Sequence, residues 1–137
     1  MSFWLVKSEP GAWSWDDQVR DGVTAWTGVR NYQACNNLKA MKLGEKAFFY
    51  HSVDEKRIVG IVEVVREAYP DPTADDPRWM CPDLRAVAPL ARPVTLAEIK
   101  ADPRLSEMAL LRQSRLSVCP VDEGSWRLLC DLGGVTA

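Results

Sequence analysis

Two apolar runs joined by a short polar connection constrain the fold more than any other feature of the sequence. Residues 47–51 are rich in aromatic side chains, residues 53–56 are mostly polar, and residues 57–67 carry six isoleucine and valine residues. Aromatic and β-branched residues favour strands, so this segment predicts an antiparallel hairpin. Gly60, inside the second run, predicts a β-bulge or a close approach of another group to the backbone.

The rest of the chain alternates short apolar runs with helix start signals. Ser14, Thr95 and Asp122 have the side chains and positions of helix N-caps. Strands are predicted at residues 3–7, 79–87 and 116–121, helices at 31–41 and 96–101 and after Ser14 and Asp122, and a proline-rich loop at 70–78. Strands with few intervening helices favour an α+β fold, a mixed and largely antiparallel β barrel with flanking short helices, over a doubly wound sheet.

Composition limits both the size of the protein and its mode of binding. A chain of 137 residues fits a single domain, residues 1–137, with a sizeable core. The net charge of −2 argues against a protein that coats nucleic acid non-specifically, because such binding needs many cations. A few local cations beside a pocket remain compatible with this charge.

Cysteine and histidine usage argues against a metal site. The four cysteines form no Cys-x-x-Cys unit and His51 is the single histidine, so neither a zinc site nor a disulfide framework is expected, and no cofactor is indicated. The first residues lack the basic and apolar regions of a signal peptide, and no run approaches the ~18 apolar residues of a spanning helix. We therefore expect a cytoplasmic protein with reduced thiols and no membrane partner.

Residues 26–38 concentrate planar and forked hydrogen-bonding groups at a predicted helix entry. Such groups can stack a flat heterocycle and read its edge. In this interpretation Asn31, Tyr32 and Asn36 read a base edge, and Arg30 holds a phosphate bidentately. An asparagine-rich helix start also arises from capping alone, and Asn31 can serve as an N-cap as well as a ligand group.

Tryptophans and tyrosines are candidates for stacking on a ligand. Trp26 lies in a polar stretch without periodicity of its own, which favours a pocket wall and leaves a core position open. Trp13 and Trp15 flank the first predicted helix and are interpreted as packing residues. Tyr69 borders the proline-rich loop, which can close over a ligand, whereas Trp79 is interpreted as a core residue.

Polar residues at two predicted strand ends are further candidates. Lys7 and Ser8 end the first strand, where a lysine can hold a phosphate or a base carbonyl; the alternative is a solvated strand end. Tyr50 and His51 end the aromatic strand. His51 precedes Ser52, which raises the question of a nucleophile, but no Gly-x-Ser-x-Gly elbow is present. His51 is instead expected to form hydrogen bonds at a pocket rim or in a turn.

Several motifs, in order along the chain, resemble the EVE-domain family. The matched segments are FWLVKSEP at 3–10, WTGVRNYQA at 26–34, LKAMKLG at 38–44, FFYHS at 48–52, EAYPDPT at 67–73 and RQSRLSV at 112–118. The resemblance implies a PUA-like pseudo-barrel, related to the YTH domains that hold a methylated base in an aromatic cage. It also implies binding of modified bases in DNA or RNA, with no catalysis established for the domain.

The resemblance adds expectations for individual residues. It makes Lys7 and Ser8 pocket-lining groups and places Arg112 and Arg115 near the cleft, although a solvated pair needs no such role. Family members often have arginine where this chain has Cys35. If that position faces the phosphate backbone, backbone binding is weaker here; alternatively, Cys35 is a small buried hydrophobe.

Together these features predict non-catalytic recognition of a modified nucleobase in DNA or RNA through an aromatic, amide-lined pocket. The alternative is a small-molecule or nucleotide-binding domain, possibly hydrolytic. A purely protein-binding module would leave the polar cluster at 26–36 unexplained. Salt dependence separates the first two, because affinity for a polynucleotide falls steeply with salt.

Overall fold

The computed structural model describes residues 1–136 and has an α+β fold. The strands are β1 (Phe3–Ser8), β2 (Val23–Ala25), β3 (Lys46–His51), β4 (Arg57–Pro70), β5 (Met80–Thr95) and β6 (Val118–Val121). The helices are α1 (Trp15–Asp21), α2 (Tyr32–Ala40), α3 (Leu96–Ala101), α4 (Ala109–Arg112) and α5 (Glu123–Leu132), with a 3₁₀ turn at Pro103–Leu105. The strands form one sheet in the order β2-β5-β4-β3-β1-β6, in which only β1 and β3 pair in parallel. The predicted fold class is confirmed.

The predicted hairpin is strands β3 and β4, and Gly60 fulfils both expectations for it. The register shifts between Phe49 and Tyr50 on β3 and between Ile58 and Gly60 on β4. A Cβ atom at Gly60 would lie 2.6 Å from carbon atoms of the Trp15 indole. The missing side chain therefore lets α1 pack its tryptophan directly onto the strand backbone.

Strand β5 is about twice as long as the sequence predicts. The prediction ended at residue 87, whereas β5 continues through Pro89 and Pro93 to Thr95. Strand β2 pairs only with residues 83–85, so no strand pairs with this edge of β5 at Pro89 and Pro93, where the missing proline N–H costs no ladder bond. Four register shifts between β4 and β5 bend this long pair, and the end strands β2 and β6 do not pair with each other. The sheet is thus a curved pseudo-barrel.

Helix starts follow the predicted capping signals. The Ser14 and Thr95 side chains each accept a backbone N–H within a capping box, and Asp122 caps α5. Asn31 is also an N-cap, because its Oδ1 accepts the Ala34 N–H at 2.9 Å. These caps fix where α1 and α2 begin, next to the ends of β1 and β2.

Aromatic side chains pack on both faces of the sheet, and one cluster lies between the sheet and helix α5. The Trp126 indole stacks on Phe48 at 4.0 Å and on Phe3 at 4.6 Å between ring centroids. Phe49, on the same strand as Phe48, contacts Trp15 and Trp26 edge-to-face on the side of α1. The sheet is therefore packed on both faces, and tryptophan fills each side.

All four cysteines are buried free thiols. Within residues 1–136, no cluster of three or more histidine, cysteine or acidic side chains is placed to hold a metal ion. None of the helices in the same range is long and apolar enough to cross a membrane. The cytoplasmic location expected from the sequence is not tested by these findings and stays a prediction.

Candidate functional site

A cavity of about 550 Å³ opens beside the carboxyl end of β1. It lies between that strand end, the segment before α1 and the segment joining β2 to α2, which we call the strap (residues 26–31). The volume falls within the range of small-ligand sites. Five predicted site residues line it: Lys7, Ser8, Trp26, Arg30 and Asn31.

Trp26 belongs to both the core and the cavity wall. Its side chain is 8% exposed and packs edge-to-face on Phe49, with ring centroids 5.6 Å apart. Within residues 1–136, Trp126 Nε1 is the sole side-chain nitrogen or oxygen both sealed from solvent and unpaired. Trp26 Nε1 has no acceptor among the same residues, so it is not sealed from solvent, and the indole lines the cavity. Trp26 is therefore buried in the core and also lines the cavity, and its role toward a ligand stays a prediction.

Trp13 is a wall of the cavity that the sequence interpretation missed. Its Nε1–H donates to Gln18 Oε1 at 3.0 Å. Gln18 is fully buried and its Nε2 donates to Leu84 O at 3.0 Å and to Gly22 O at 3.2 Å. The buried Gln18 amide therefore holds the edge of the half-buried Trp13 indole in place. Trp15, interpreted like Trp13 as a packing residue, is buried against Phe49.

The Asp71 carboxylate holds the strap in place. Its Oδ2 accepts the Gly28 N–H at 2.8 Å and Arg30 Nη1 at 3.1 Å, and its Oδ1 accepts the Thr73 N–H at 2.7 Å. Gly28 has a φ of 85°, in the left-handed region that favours glycine, and this turns its N–H toward the carboxylate. Residues 26–31 are therefore clamped to the loop after β4.

Arg30 is engaged within the protein rather than free for a phosphate. Besides Asp71, its guanidinium donates from Nη2 to Thr73 Oγ1 at 3.0 Å and from Nη1 to Val29 O at 3.2 Å. The Asp71 charge balances that of Arg30. The predicted bidentate phosphate contact is therefore not the role that this arrangement gives Arg30, which lines the cavity as part of the clamp.

We expect the Asp71 clamp to make the free energy of unfolding depend on pH in the acidic range. Burial opposes ionisation of Asp71, but hydrogen bonds from Thr73, Gly28 and Arg30 outweigh it and lower its pKa to about 2. Because the folded pKa lies below the unfolded value, the stabilisation is full above the unfolded pKa and is lost as pH falls toward 2. The lowered pKa corresponds to about 2 kcal/mol.

This expectation is tested by urea unfolding of wild type and Asp71→Asn between pH 7 and pH 2. The variant should be less stable at pH 7, and its stability should change less over the acidic range. Asp75→Asn, in the same loop with an exposed side chain, is the matched control. Equal pH dependence in wild type and Asp71→Asn would contradict the clamp.

Three further predicted residues lie beside the cavity rather than in it. Tyr50 and Arg115 line an adjoining groove of about 700 Å³ that shares Lys7 and Ser117 with the cavity. Arg112 lies with Arg115 in a third hollow and forms an ion pair with Glu107 at 2.5 Å. Burial raises the pKa of Tyr50.

Four predicted residues line neither the cavity nor the two depressions beside it. Asn36 is exposed on α2. Tyr32 is also exposed, stacks on Trp79 at 5.1 Å between centroids and accepts a hydrogen bond from Arg78. Tyr69 belongs to β4 rather than to a loop, and its hydroxyl donates to Asp83, which raises its pKa. A lid role for Tyr69 therefore has no support in its position.

His51, the fourth, is buried and structural. Its Nε2 accepts the Trp15 backbone N–H at 3.0 Å, and its Nδ1 lies 2.9 Å from Glu55 Oε1. These partners assign the tautomer with the proton on Nδ1. Both ring nitrogens are therefore occupied at the start of α1 and in the β3–β4 turn, and neither faces a serine.

Cys35 does not face a ligand. Its side chain is 2% exposed, and its Sγ lies 3.8 Å from Arg78 O and 3.9 Å from Met80 O. The interpretation that this position faces a phosphate backbone is wrong, and the alternative of a small buried hydrophobe is confirmed. An arginine here would meet the 78–80 segment instead of solvent.

A curved, mostly antiparallel sheet with an indole-lined cavity at one strand end is an arrangement that suits the binding of a small ligand. The chain belongs to the EVE-domain family, whose family model matches residues 2–132. It is 35% identical to human thymocyte nuclear protein 1 in an alignment that covers 96% of this chain and 73% of that protein.

Two solved structures are similar over nearly the whole chain. A crystal structure of a protein from Agrobacterium tumefaciens has a TM-score of 0.97 and 49% identity, covering 98% of this chain and 94% of that one. The crystal structure of human THYN1 protein in complex with 5-methylcytosine-containing DNA has a TM-score of 0.90 and 36% identity, with full coverage of both chains.

Proposed function

We propose that this protein recognises a modified base in nucleic acid without catalysis, and that 5-methylcytosine in DNA is the first ligand to test. The observation that carries the proposal is the pair of indoles, Trp13 and Trp26, lining one cavity of ligand size. The similarity to human THYN1, solved with 5-methylcytosine-containing DNA, supports this choice of ligand.

Aromatic stacking supplies the main attraction in this proposal. Stacking a base on an aromatic side chain contributes roughly 1–3 kcal/mol per base. Taking a base out of a duplex costs a few kcal/mol, so stacking on the half-buried Trp13 indole offsets part of that cost. The amide of Gln18, which holds the Trp13 indole, keeps that wall in position before a ligand arrives.

Polar groups at the cavity provide complementary hydrogen bonds to a base edge. Trp26 Nε1–H is a donor without a protein partner in residues 1–136. Asn31 Oδ1 is occupied by the Ala34 N–H, which leaves its Nδ2 as a second donor. The Ser8 hydroxyl donates to Trp13 O, so its remaining lone pairs can accept from an exocyclic amine. Cytosine offers both acceptors and an amine, and this set matches it.

The hydrolytic alternative has little support from the side chains present. A serine nucleophile needs an adjacent base, and the two ring nitrogens of His51 are occupied by Trp15 and Glu55. A small-metabolite site predicts tight binding of the free nucleoside with little salt dependence. A nucleic-acid reader predicts much tighter binding of an oligonucleotide than of the nucleoside, with a steep fall in salt.

We expect Trp13→Ala to weaken binding of 5-methylcytosine-containing DNA by roughly 1–3 kcal/mol, because it removes one stacking wall. The indole is half-buried and sits ahead of the α1 N-cap, so the helix itself is retained. Titration of a labelled oligonucleotide, methylated and unmethylated, measures the change alongside the melting temperature.

Trp79→Ala is the matched control, since Trp79 is equally half-buried but stacks on Tyr32 outside the cavity. It should leave the preference for methylated DNA unchanged. The proposal is lost if wild type binds methylated and unmethylated oligonucleotides equally, or if the Trp13 variant, properly folded, keeps the full preference.

A further inference from the structure

The groove beside the cavity is cationic in a protein that is acidic overall. Four cations, Lys7, Lys56, Lys100 and Arg115, line it together with apolar and hydroxyl side chains, and its lining contains no acidic residue. The whole chain has 19 acidic and 17 basic residues, so this groove departs from the average composition. Lys7 and Ser117 line both the groove and the cavity, which makes the two depressions continuous.

The cations of the groove lack the partners that arginines have elsewhere on the surface. Within residues 1–136, Lys56, Lys100 and Arg115 form no ion pair, whereas nine other arginines do. Lys7 donates from Nζ to Ser114 O at 2.9 Å, and burial lowers its pKa although the Cys119 thiol opposes this. Three exposed cations without ion pairs therefore lie around a fourth, Lys7, that is fixed by a hydrogen bond.

The turn that carries Lys56 has a strained backbone. Val53 and Lys56 are the two non-glycine residues with positive φ in the described chain, at 72° and 50°. A β-branched residue there is a rare outlier, and such strain concentrates at binding sites. Both residues line the groove, and Val53 is 55% exposed. The turn thus places the apolar side chain of Val53 and the cationic side chain of Lys56 at the groove. Glycine or asparagine would adopt this positive-φ backbone more readily at both positions.

We propose that this groove is the path of the phosphodiester backbone of the strand whose base enters the cavity. The inference rests on the proposed function, and it gives the ligand a second requirement: a strand that extends beyond the bound base. Lys7 sits at the junction, and Lys56, Lys100 and Arg115 contact successive phosphates. The apolar floor, which includes Val53 and Leu111, lies against the sugars.

The experiment compares salt titrations of duplex DNA carrying one 5-methylcytosine for wild type, Lys56→Asn, Lys100→Gln, Arg115→Gln and the triple variant. Asparagine at 56 removes the charge and tolerates positive φ, so this variant keeps its fold. Each substitution should reduce the slope of log K against log salt by about one unit, and the triple variant by about three. Binding of free 5-methyldeoxycytidine should stay unchanged.

Lys39→Gln is the matched control. Lys39 and Lys100 are both exposed lysines in the last turn of a helix, and neither forms an ion pair within residues 1–136, but Lys39 lies outside the groove. Its slope should equal that of wild type. Unchanged slopes in stable groove variants, or a nucleoside affinity that falls with them, would overturn the groove inference. If wild type shows no methyl preference but the groove variants still have reduced slopes, the proposed function would be overturned, while the contact of the groove with phosphates would still be shown.

Discussion

We expect Cys35→Arg to lower the free energy of unfolding by several kcal/mol. The thiol is 2% exposed and packed under the backbone of residues 78–80, so a longer, charged side chain has neither space nor solvent. To reach water, the guanidinium must displace that segment, which leads into β5. Urea unfolding measures the loss, and the salt titration of DNA binding shows whether the added charge contacts phosphate.

Asn36→Arg is the control for this substitution. Asn36 is the next residue on α2, is exposed and lines neither the cavity nor the two depressions beside it, so it should accept arginine with little change in stability. A Cys35→Arg protein as stable as wild type, with a steeper salt slope, would show that this part of α2 opens to the nucleic acid. That result would also contradict the assignment of the backbone path to the groove.

Local rules account for the parts of the fold that the sequence predicted. The caps at Ser14 and Thr95 were visible because a capping box needs only residues three apart. The hairpin and the special role of Gly60 were visible because strand periodicity and glycine placement are equally local. By contrast, β2 has three residues and no periodicity, and the length of β5 depends on its pairing with β4, which the prolines at 89 and 93 conceal.

The strap was the part of the site that the sequence identified best. An indole, a guanidinium and an amide in residues 26–31 indicated a binding region, and all three line the cavity. What the sequence did not reveal was the partner of Arg30, since Asp71 is 41 residues away and lies in what reads as a solvated acidic loop. A charge can be assigned to a ligand only once its intramolecular partners are known.

Trp13 and Tyr69 illustrate a related limit for aromatic residues. Both flank predicted elements, and nothing in their local pattern separates a packing residue from a wall. The distinction depends on distant groups: Trp13 is held at the cavity through Gln18 and Leu84, whereas Tyr69 is tied to Asp83 and covered by the Arg66 guanidinium, 3.7 Å from its ring centroid. His51 is a third case, because its partners lie on α1 and in the following turn.

Trp26→Ala is expected to have the largest combined effect on stability and binding. Truncation of a buried tryptophan costs about 3–5 kcal/mol, because it leaves a cavity beside Phe49 that the rigid strap cannot fill. The contact of the indole with a bound base is lost at the same time. The free energy of unfolding and the affinity for DNA should therefore both fall. The effect of lost stability on binding has to be separated from the effect of the lost contact.

Trp26→Phe makes that separation, since phenylalanine retains an aromatic ring against Phe49 but removes the indole N–H and part of the wall. If Trp26 acts in the cavity, the folded Phe variant should bind methylated DNA more weakly than wild type does while keeping the salt slope, because no cation of the groove has changed. If Trp26 is only a core residue, affinity should follow stability, and a folded Phe variant should bind as wild type does. Stability and DNA affinity, measured together in this variant, therefore decide whether the Trp26 indole, which is only 8% exposed, acts through the edge that it presents to the cavity.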